Sequence, residues 1–289
     1  MKPFDAHHLC IGPEHMQGND GRGRVVFVPG SLARTEHVAD HFEDLQVLTN
    51  PRRLDVHLGT LRSGDQSVDV AAVPTGMGCP SLGIVLTELS ELGARRFLRV
   101  GSAGTLQPRV SVGDLVVATA AVRDEGASDA YVPREIPAVA HSDWIVALAT
   151  AARKLGEVER TYLGLVHTKD SLYGREFPMG PLAEENRRYM DLLQGIGVLA
   201  SEMESSHLFL LSTSRGPDVS PLSVGRGGEG VIKSGTILAV IGDRHSWAPH
   251  DVALATEARA VRVAVQAALD LVAGEDGRAA VISDPSGTS

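Results

Sequence analysis

Three apolar runs of this chain each stop at a short glycine-bounded segment, and this feature limits the folds that the chain can adopt. The segments are VPGSLAR (28–34), PTGMG (74–78) and RVGSAG (99–104). Short apolar runs that end in glycine or proline turns predict buried strands. Apolar residues at helical spacing follow the second segment, between an initial Pro80 and a final Gly93, and predict a helix.

Strands and helices alternate along most of the chain, which predicts a single α/β domain with a central, at least partly parallel sheet. Gly/Ser-rich residues 216–235 predict a flexible loop. The domain is expected to span residues 1–273, with residues 274–289 as a disordered tail. The predicted strands cover 24–30, 54–61, 67–73, 97–101, 114–120, 161–166 and 236–241, and the predicted helices cover 80–93, 142–155, 183–195, 203–214 and 251–273.

The charge balance restricts the partners that the chain can have. A formal net charge of −9 disfavours a general nucleic-acid or membrane surface, because both need spread-out positive charge. Cys10 and Cys79 form no pair motif, and the polar N-terminus MKPFDAHHLC does not resemble a secretory signal. A reducing, cytoplasmic setting is therefore expected.

Arg34 and Arg99 lie in two of the three glycine-bounded segments. Loops at the carboxyl ends of strands bind ligands in open α/β sheets. A guanidinium beside bare backbone N–H groups suits phosphate oxygens. A small-residue turn at 101–104, next to Arg99, therefore predicts a site for a small anion. The alternative interpretation is an ordinary turn with a surface arginine.

Two acidic residues near predicted sheet edges admit two interpretations each. Ser201 and Glu204 fit the S-x-x-E capping box of a helix, yet Glu204 could also accept hydrogen bonds from a vicinal diol. Asp243 could act as a general acid or cap the segment that follows it. The chain contains no H-E-x-x-H motif, and no metal site is expected.

Five motifs in order give the chain a resemblance to a known family. They are FLRVGSAGTLQPRVSVGD (97–114), EGAS (125–128), IPAVA (136–140), HTKDSLYG (167–174) and ASEMES (200–205). Together they resemble the nucleoside phosphorylase family on its uridine phosphorylase branch, from about His8 to Val272. The resemblance implies an α/β/α fold with a mixed sheet and reversible phosphorolysis of a nucleoside. Inorganic phosphate would be the co-substrate, with no cofactor and no catalytic metal.

The resemblance also implies roles for particular residues. Catalysis would rest on Arg99, Glu204, Asp243 and Arg244. Two residues would reach across a subunit interface, namely Arg52 to phosphate (with Arg53 as the alternative) and His8 to the ribose 5′-hydroxyl, in a homo-oligomer, commonly a hexamer of paired subunits. The other implied contacts are Gly30, Arg34 and Ser102 to phosphate, Glu202 and Met203 to the ribose, and Ala103, Gly104, Leu172, Tyr173, Arg175 and Ile241 around the base.

The base pocket departs from the pattern of pyrimidine-specific relatives. Arg175 stands where a glutamine is usual, Phe177 falls near an expected arginine, and Leu172 replaces an aromatic residue. An arginine supplies only donors, so it could still meet O4 of uracil. Uridine is the expected substrate class, and a purine or modified nucleoside is the alternative. A nucleosidase and a non-catalytic nucleoside sensor are the further alternatives.

Overall fold

Ten strands and six helices build the chain over residues 4–215 and 231–283, which the computed structural model describes. The strands are β1 (Val25–Phe27), β2 (Glu43–Leu48), β3 (Val56–Ser63), β4 (Gln66–Ala72), β5 (Arg96–Thr105), β6 (Leu115–Asp124), β7 (Ala138–Val139), β8 (Thr161–Lys169), β9 (Ala200–Glu202) and β10 (Lys233–Gly242). The helices are α1 (Leu32–Ala39), α2 (Cys79–Glu91), α3 (Ser142–Lys154), α4 (Ala183–Gly195), α5 (Ser205–Arg215) and α6 (His250–Ser283).

The strands form one mixed sheet in the order β10-β6-β8-β9-β5-β1-β4-β3-β2. Strand β5 also pairs with β10, in parallel, from Arg96 to Gly104. On its other side β5 pairs first with β1 and then, at Gly104 and Thr105, with β9. Strands β5, β10, β6, β8 and β9 therefore close into a ring, and β1, β4, β3 and β2 extend from it as an open sheet.

Helices cover both faces of the sheet. Helices α2 and α5 bury leucines such as Leu86 and Leu208 in one core, which contains Phe97 and Phe209. Helices α1, α3 and α6 bury the other core, in which Trp144 is fully buried. The predicted α/β fold with a mixed sheet between helices is confirmed. Within the described residues, no helix has the length and hydropathy needed to cross a membrane.

The predicted turn at 101–104 is wrong. Strand β5 continues to Thr105, so the small residues lie inside a strand. The glycine at 101 serves close packing, because a Cβ there would lie 2.7 Å from Leu238 Cδ2 and 3.2 Å from the Arg99 guanidinium. The lack of a side chain at Gly101 therefore leaves room for Leu238 and for the Arg99 guanidinium to pack against the backbone of β5.

Two predicted flexible regions contain regular structure. Strand β10 begins at Lys233, inside the predicted 216–235 loop, and residues 216–230 lie outside the described residues. Helix α6 passes Gly274 and ends at Ser283, and residues 284–289 lie outside the description. Glu275 forms ion pairs with Arg96 and Lys233, at 2.7 Å in each case. These pairs fasten the helix to the sheet at the point where disorder was predicted.

Candidate functional site

The three glycine-bounded segments lie at one edge of the sheet. Strands β4, β1, β5 and β10 are parallel neighbours, so their carboxyl ends point the same way. A Cβ built at Gly30 would lie 3.5 Å from the carbonyl oxygen of Gly76 and 3.9 Å from Nη1 of Arg99. Arg99, near the end of one apolar run, therefore lies close to the backbone of Gly30, which follows another apolar run.

Arg99 is buried beside two carboxylates. Its Nη2 donates a hydrogen bond to Oε2 of Glu204, and its Nε lies 3.4 Å from Oε2 of Glu202. The residue is only 3% exposed. Its Nε and Nη1 have no hydrogen-bond acceptor among the described residues. A buried guanidinium with unused N–H donors is a ready binding group for an additional anion.

Glu204 links this cluster to the loop after β4. Its Oε1 accepts a hydrogen bond from the Gly78 amide at 2.7 Å. Burial raises the pKa of the Glu204 carboxyl, although the Arg99 guanidinium opposes the rise, and the Glu202 charge adds to it. With its raised pKa, Glu204 takes up a proton more readily than an ordinary glutamate, and it can change its hydrogen bonding when a diol or an anion arrives.

Glu202, rather than Ser201, caps helix α5. The Glu202 carboxylate accepts hydrogen bonds from the backbone amides of Glu204 at 2.9 Å and Ser205 at 3.0 Å. The predicted Ser201–Glu204 capping box is wrong, because the Ser201 hydroxyl accepts instead from Nζ of Lys169 at 2.9 Å. The Glu204 carboxylate therefore takes no part in this cap and accepts a hydrogen bond from Arg99.

Arg34 is the second guanidinium at this edge. It lies in the first turn of α1, where the hydroxyl of Ser31 accepts the Arg34 amide at 3.3 Å. Its Nη2 donates to Glu257 of α6, and its Nε has no acceptor among the described residues. Arg34 and Arg99 therefore end on different carboxylates, and each keeps a buried donor without a partner.

Of the two residues expected to reach a neighbouring subunit, His8 is bound within its own chain and the Arg52 side chain is not. His8 is held by Glu88 of α2, which accepts its backbone amide at 3.0 Å and contacts Nδ1 at 2.6 Å. The Arg52 side chain is exposed and has no partner within the described chain, whereas Arg53 Nε lies 3.3 Å from Asp55. Of the two candidate arginines, Arg52 is the one free to reach another molecule.

The Arg175 guanidinium is held by residues of β6 and α4. Arg175 lies within a single π-helical turn, Leu172–Glu176, and donates to Asn186 at 2.5 Å and to Asp124 at 2.8 Å. Its guanidinium carbon also lies 4.5 Å from the Tyr189 ring centroid. In this arrangement the Arg175 guanidinium is bound to a carboxylate and an amide of the protein itself, and its expected contact with the base stays a prediction.

Asp124 holds the Arg175 guanidinium in this position. Burial works to raise its pKa, but hydrogen bonds from His167 and Arg175 outweigh that effect and lower it. His167 Nε2 lies 2.9 Å from Asp124, and burial lowers the His167 pKa. The ion pair between Asp124 and Arg175 therefore persists near neutral pH.

Asp243 takes the capping alternative. Its Oδ1 accepts from the amides of His245 at 2.8 Å and Ser246 at 2.7 Å, and these bonds lower its pKa. An acid with a lowered pKa is ionised near neutral pH, which counts against a role as proton donor. Arg244 is tied to Asp191 of α4 at 2.6 Å. Ile241 is half-buried and packs against the core.

Aromatic side chains line the rim beside these turns. The Phe177 ring lies 5.4 Å from the Trp247 ring and 6.2 Å from the Tyr173 ring. Tyr173 and Trp247 are both more than half exposed. Leu172, in the same turn, is half-buried. Phe177, near the position where an arginine was expected, is therefore part of an aromatic surface.

The remaining predicted contacts lie on the strand ends. Ser102 is half-buried, and Ala103 and Gly104 are buried along β5. Met203 is half-buried, and its carbonyl oxygen accepts from the Cys79 thiol at 3.2 Å. Three of these four positions, Ser102, Ala103 and Gly104, carry small side chains or none.

Sequence analysis missed two charged residues of this region. Lys169 and Glu176 are 1% and 2% exposed, and Lys169 Nζ lies 2.5 Å from Oε2 of Glu176. The signal was present, because a lysine at the end of an apolar strand is as unusual as Arg99. A Cβ at Gly104 would clash with Oε1 of Glu176, so the carboxylate lies directly on this glycine.

One group of potential metal ligands lies behind the cluster. Atoms of Cys79, Glu125 and Asp170 lie within 4.8 Å of one another. Burial and the surrounding carboxylates raise the pKa of the Cys79 thiol strongly, so it stays protonated. Glu125 already accepts hydrogen bonds from Ser128 and Ser206. Nothing in this group calls for an ion.

Comparison with known proteins agrees with this geometry. Residues 24–224 match the Phosphorylase superfamily. The chain is 35% identical over 271 residues to the uridine phosphorylase of Haemophilus influenzae, covering 92% of this chain and 98% of the relative. It is 32% identical over 192 residues to the guanosine phosphorylase of Halorubrum lacusprofundi, covering 66% and 73% of the two chains.

The fold agrees as well. The crystal structure of uridine phosphorylase from Vibrio fischeri superposes with a TM-score of 0.73, at 23% identity, over 92% of this chain and 98% of that chain. Sequence and fold thus point to the same group, and the chain belongs to the phosphorylase superfamily, on the branch that contains the uridine phosphorylases.

Proposed function

We propose that this protein is a nucleoside phosphorylase, a pentosyltransferase that cleaves uridine or a related pyrimidine nucleoside with inorganic phosphate. The observation that carries the proposal is Arg99: a buried guanidinium between Glu202 and Glu204, with donors left over toward Gly30. A diol-binding carboxylate and an anion-binding guanidinium in contact are the two groups that such a reaction needs side by side. One catalytic domain, which includes helix α6 beyond the boundary expected at residue 273, would hold the site.

In the proposed reaction a phosphate oxygen attacks C1′ of the sugar as the C1′–N bond breaks. The electron pair of that bond leaves with the base, which takes up a proton, and the other product is ribose 1-phosphate. Arg34, Arg99, Ser102 and the backbone at Gly30 would hold phosphate, and Glu204 with Met203 would hold the ribose hydroxyls. Binding the phosphate next to developing positive charge on the sugar lowers the barrier by positioning and electrostatics.

A homo-oligomer with shared sites is part of the proposal. The exposed Arg52 side chain supports it, because it has no partner within the described chain and can reach a neighbouring subunit. A surface groove of about 310 Å³, lined by Phe4, Ile84 and Tyr131 among others, adjoins Glu88, which holds His8. Paired subunits would bring Arg52 and His8 to a neighbouring site. Two unpaired cysteines, Cys10 and Cys79, fit a cytoplasmic setting.

The test is an assay for free base with uridine, thymidine, inosine and adenosine, each with and without phosphate. Release of uracil that requires phosphate and yields ribose 1-phosphate supports the proposal. Base release without phosphate indicates a nucleosidase, and nucleoside binding without turnover indicates a sensor. Preferential cleavage of inosine would favour the purine alternative, which the guanosine phosphorylase relative supports.

A further inference from the structure

Glu176 carries a buried carboxylate that the protein itself uses only in part. Its Oε2 pairs with Nζ of Lys169, as an ion pair without the alignment of a hydrogen bond. Lys169 also donates to the Ser201 hydroxyl at 2.9 Å and the Glu202 carbonyl oxygen at 3.4 Å, so its three N–H groups are committed. Oε1 of Glu176 has no hydrogen-bond donor within the described residues.

The surroundings of Oε1 are flat and partly aromatic. The carboxylate lies on Gly104 of β5, and a Cβ at Gly104 would be 3.9 Å from the carbonyl oxygen of Gly242 on the paired strand β10. A Cβ at Gly242 would in turn lie 2.9 Å from the Trp247 ring. Phe177 stacks at a tilt on that ring. Two bare strand ends, an aromatic edge and one acceptor make a seat for a flat heterocycle that presents an N–H.

The seat joins the Arg99 cluster through Lys169. The ammonium that holds Glu176 also binds the backbone of Glu202, whose carboxylate is 3.4 Å from Arg99. Arg175, the donor expected here, is committed to Asp124 and Asn186 instead. The acceptor of Glu176 is therefore the polar group closest to the glycine floor on this side of the sugar-binding carboxylates.

We propose that Oε1 of Glu176 accepts the ring N–H of the nucleobase, and that Lys169 is a positioning residue that holds this carboxylate in place through its contact with Oε2. The inference rests on the proposed function, because it assumes that a base lies here. An ionised carboxylate is an acceptor only. It selects bases whose ring nitrogen carries hydrogen, N3–H of uracil or N1–H of a 6-oxopurine. It rejects cytosine and adenine, whose corresponding nitrogens present lone pairs.

The experiment compares a nucleoside with its N-methyl analogue: uridine with 3-methyluridine or, if the enzyme prefers purines, inosine with 1-methylinosine. The methyl group removes the N–H. The wild-type enzyme is expected to prefer the unmethylated nucleoside by about 10²-fold or more in kcat/KM, because a site built around a hydrogen bond rejects an analogue that lacks it. In Lys169→Met/Glu176→Met, which removes both charges together, the preference should fall to within about 10-fold.

Controls separate this role from a structural one. Lys154→Met/Asp270→Asn removes a surface ion pair of 2.6 Å elsewhere and should leave the preference unchanged. If the buried double variant does not fold, Gly104→Ala tests the same point, since its Cβ displaces the Glu176 carboxylate without changing charge. The N-methyl preference should fall in that variant too.

The outcomes are distinct. An unchanged preference in either variant, while both still cleave the nucleoside, overturns the assignment of Glu176. A wild-type enzyme that cleaves both members of the pair equally well overturns it as well. Absence of phosphate-dependent base release from every nucleoside overturns the proposed function instead.

Discussion

Replacing Arg99 with alanine is expected to abolish most phosphate-dependent turnover. The substitution removes the buried guanidinium whose Nε and Nη1 are unused by the protein. Loss of one preorganised charged donor costs about 2–4 kcal/mol of transition-state stabilisation. That range corresponds to a fall of about 30- to 1000-fold in kcat/KM for phosphate.

The same substitution leaves Glu202 and Glu204 buried without their guanidinium partner. Breaking a buried pair from one side costs about 3–5 kcal/mol of folding free energy. The cost should depend on pH. Because the folded-state pKa of Glu204 is already raised by burial, its contribution to stability is present below its unfolded pKa and lost as pH rises through the folded value. Without Arg99 that folded value rises further, so Arg99→Ala should be most destabilising at neutral and alkaline pH.

The assay pairs initial rates over a phosphate series with urea unfolding at several pH values. Arg96→Ala is the matched control, because Arg96 lies on the same strand, is 7% exposed and pairs with Glu275 at 2.7 Å, away from the carboxyl edge. Arg96→Ala should lose stability but keep its KM for phosphate. Wild-type phosphate kinetics in folded Arg99→Ala would refute the reasoning.

Three further predictions concern other parts of the chain. Arg52→Ala should raise the KM for phosphate about 10-fold or more while Arg53→Ala does not, as steady-state kinetics of the two will show; equal effects would contradict the choice of Arg52. Asp124→Asn should lower the free energy of unfolding by about 1.5–3 kcal/mol at neutral pH. Its deficit should shrink on acidification through the lowered pKa of Asp124, which urea melts can follow, and a deficit independent of pH would contradict that pKa. Gly235→Ala should cost about 1–3 kcal/mol, because its Cβ would lie 2.5 Å from Cβ of Trp144; thermal melts followed by tryptophan fluorescence will measure it, and an unchanged Tm would exclude the clash.

Elements with a strong apolar period were predictable from the sequence. The helix predicted at 80–93 is α2, and the strands predicted at 54–61 and 67–73 are β3 and β4, which pair with each other. Strand β2 was missed, because its alternation rests on only two apolar residues, Leu45 and Val47, and both are exposed at the edge of the sheet. Strand β9 is only three residues long.

The residue types of the site were predictable from the sequence, but the directions of their side chains were not. Arg99 and Glu204 stand out as charges at the ends of apolar segments, and the structure brings them into contact. The direction of Arg175 depends on Asp124, which is 51 residues away in sequence and adjacent only through the pairing of β6 and β8. The sequence did not reveal Glu202 as the cap of α5, because Ser201 and Glu204 match the usual S-x-x-E capping pattern and Ser201 comes one residue before Glu202.

The position of β5 between β1, β9 and β10 has a consequence for the synthesis of the chain. The ribosome delivers β10 after the nine other described strands have been synthesised. Until then the flank of β5 that will hold β10 is an unsatisfied backbone edge, long and apolar, of the kind that recruits other chains. We expect nascent chains stalled before Lys233 to aggregate, whereas chains released after Gly242 close the ring and become competent to bind ligands at the same moment.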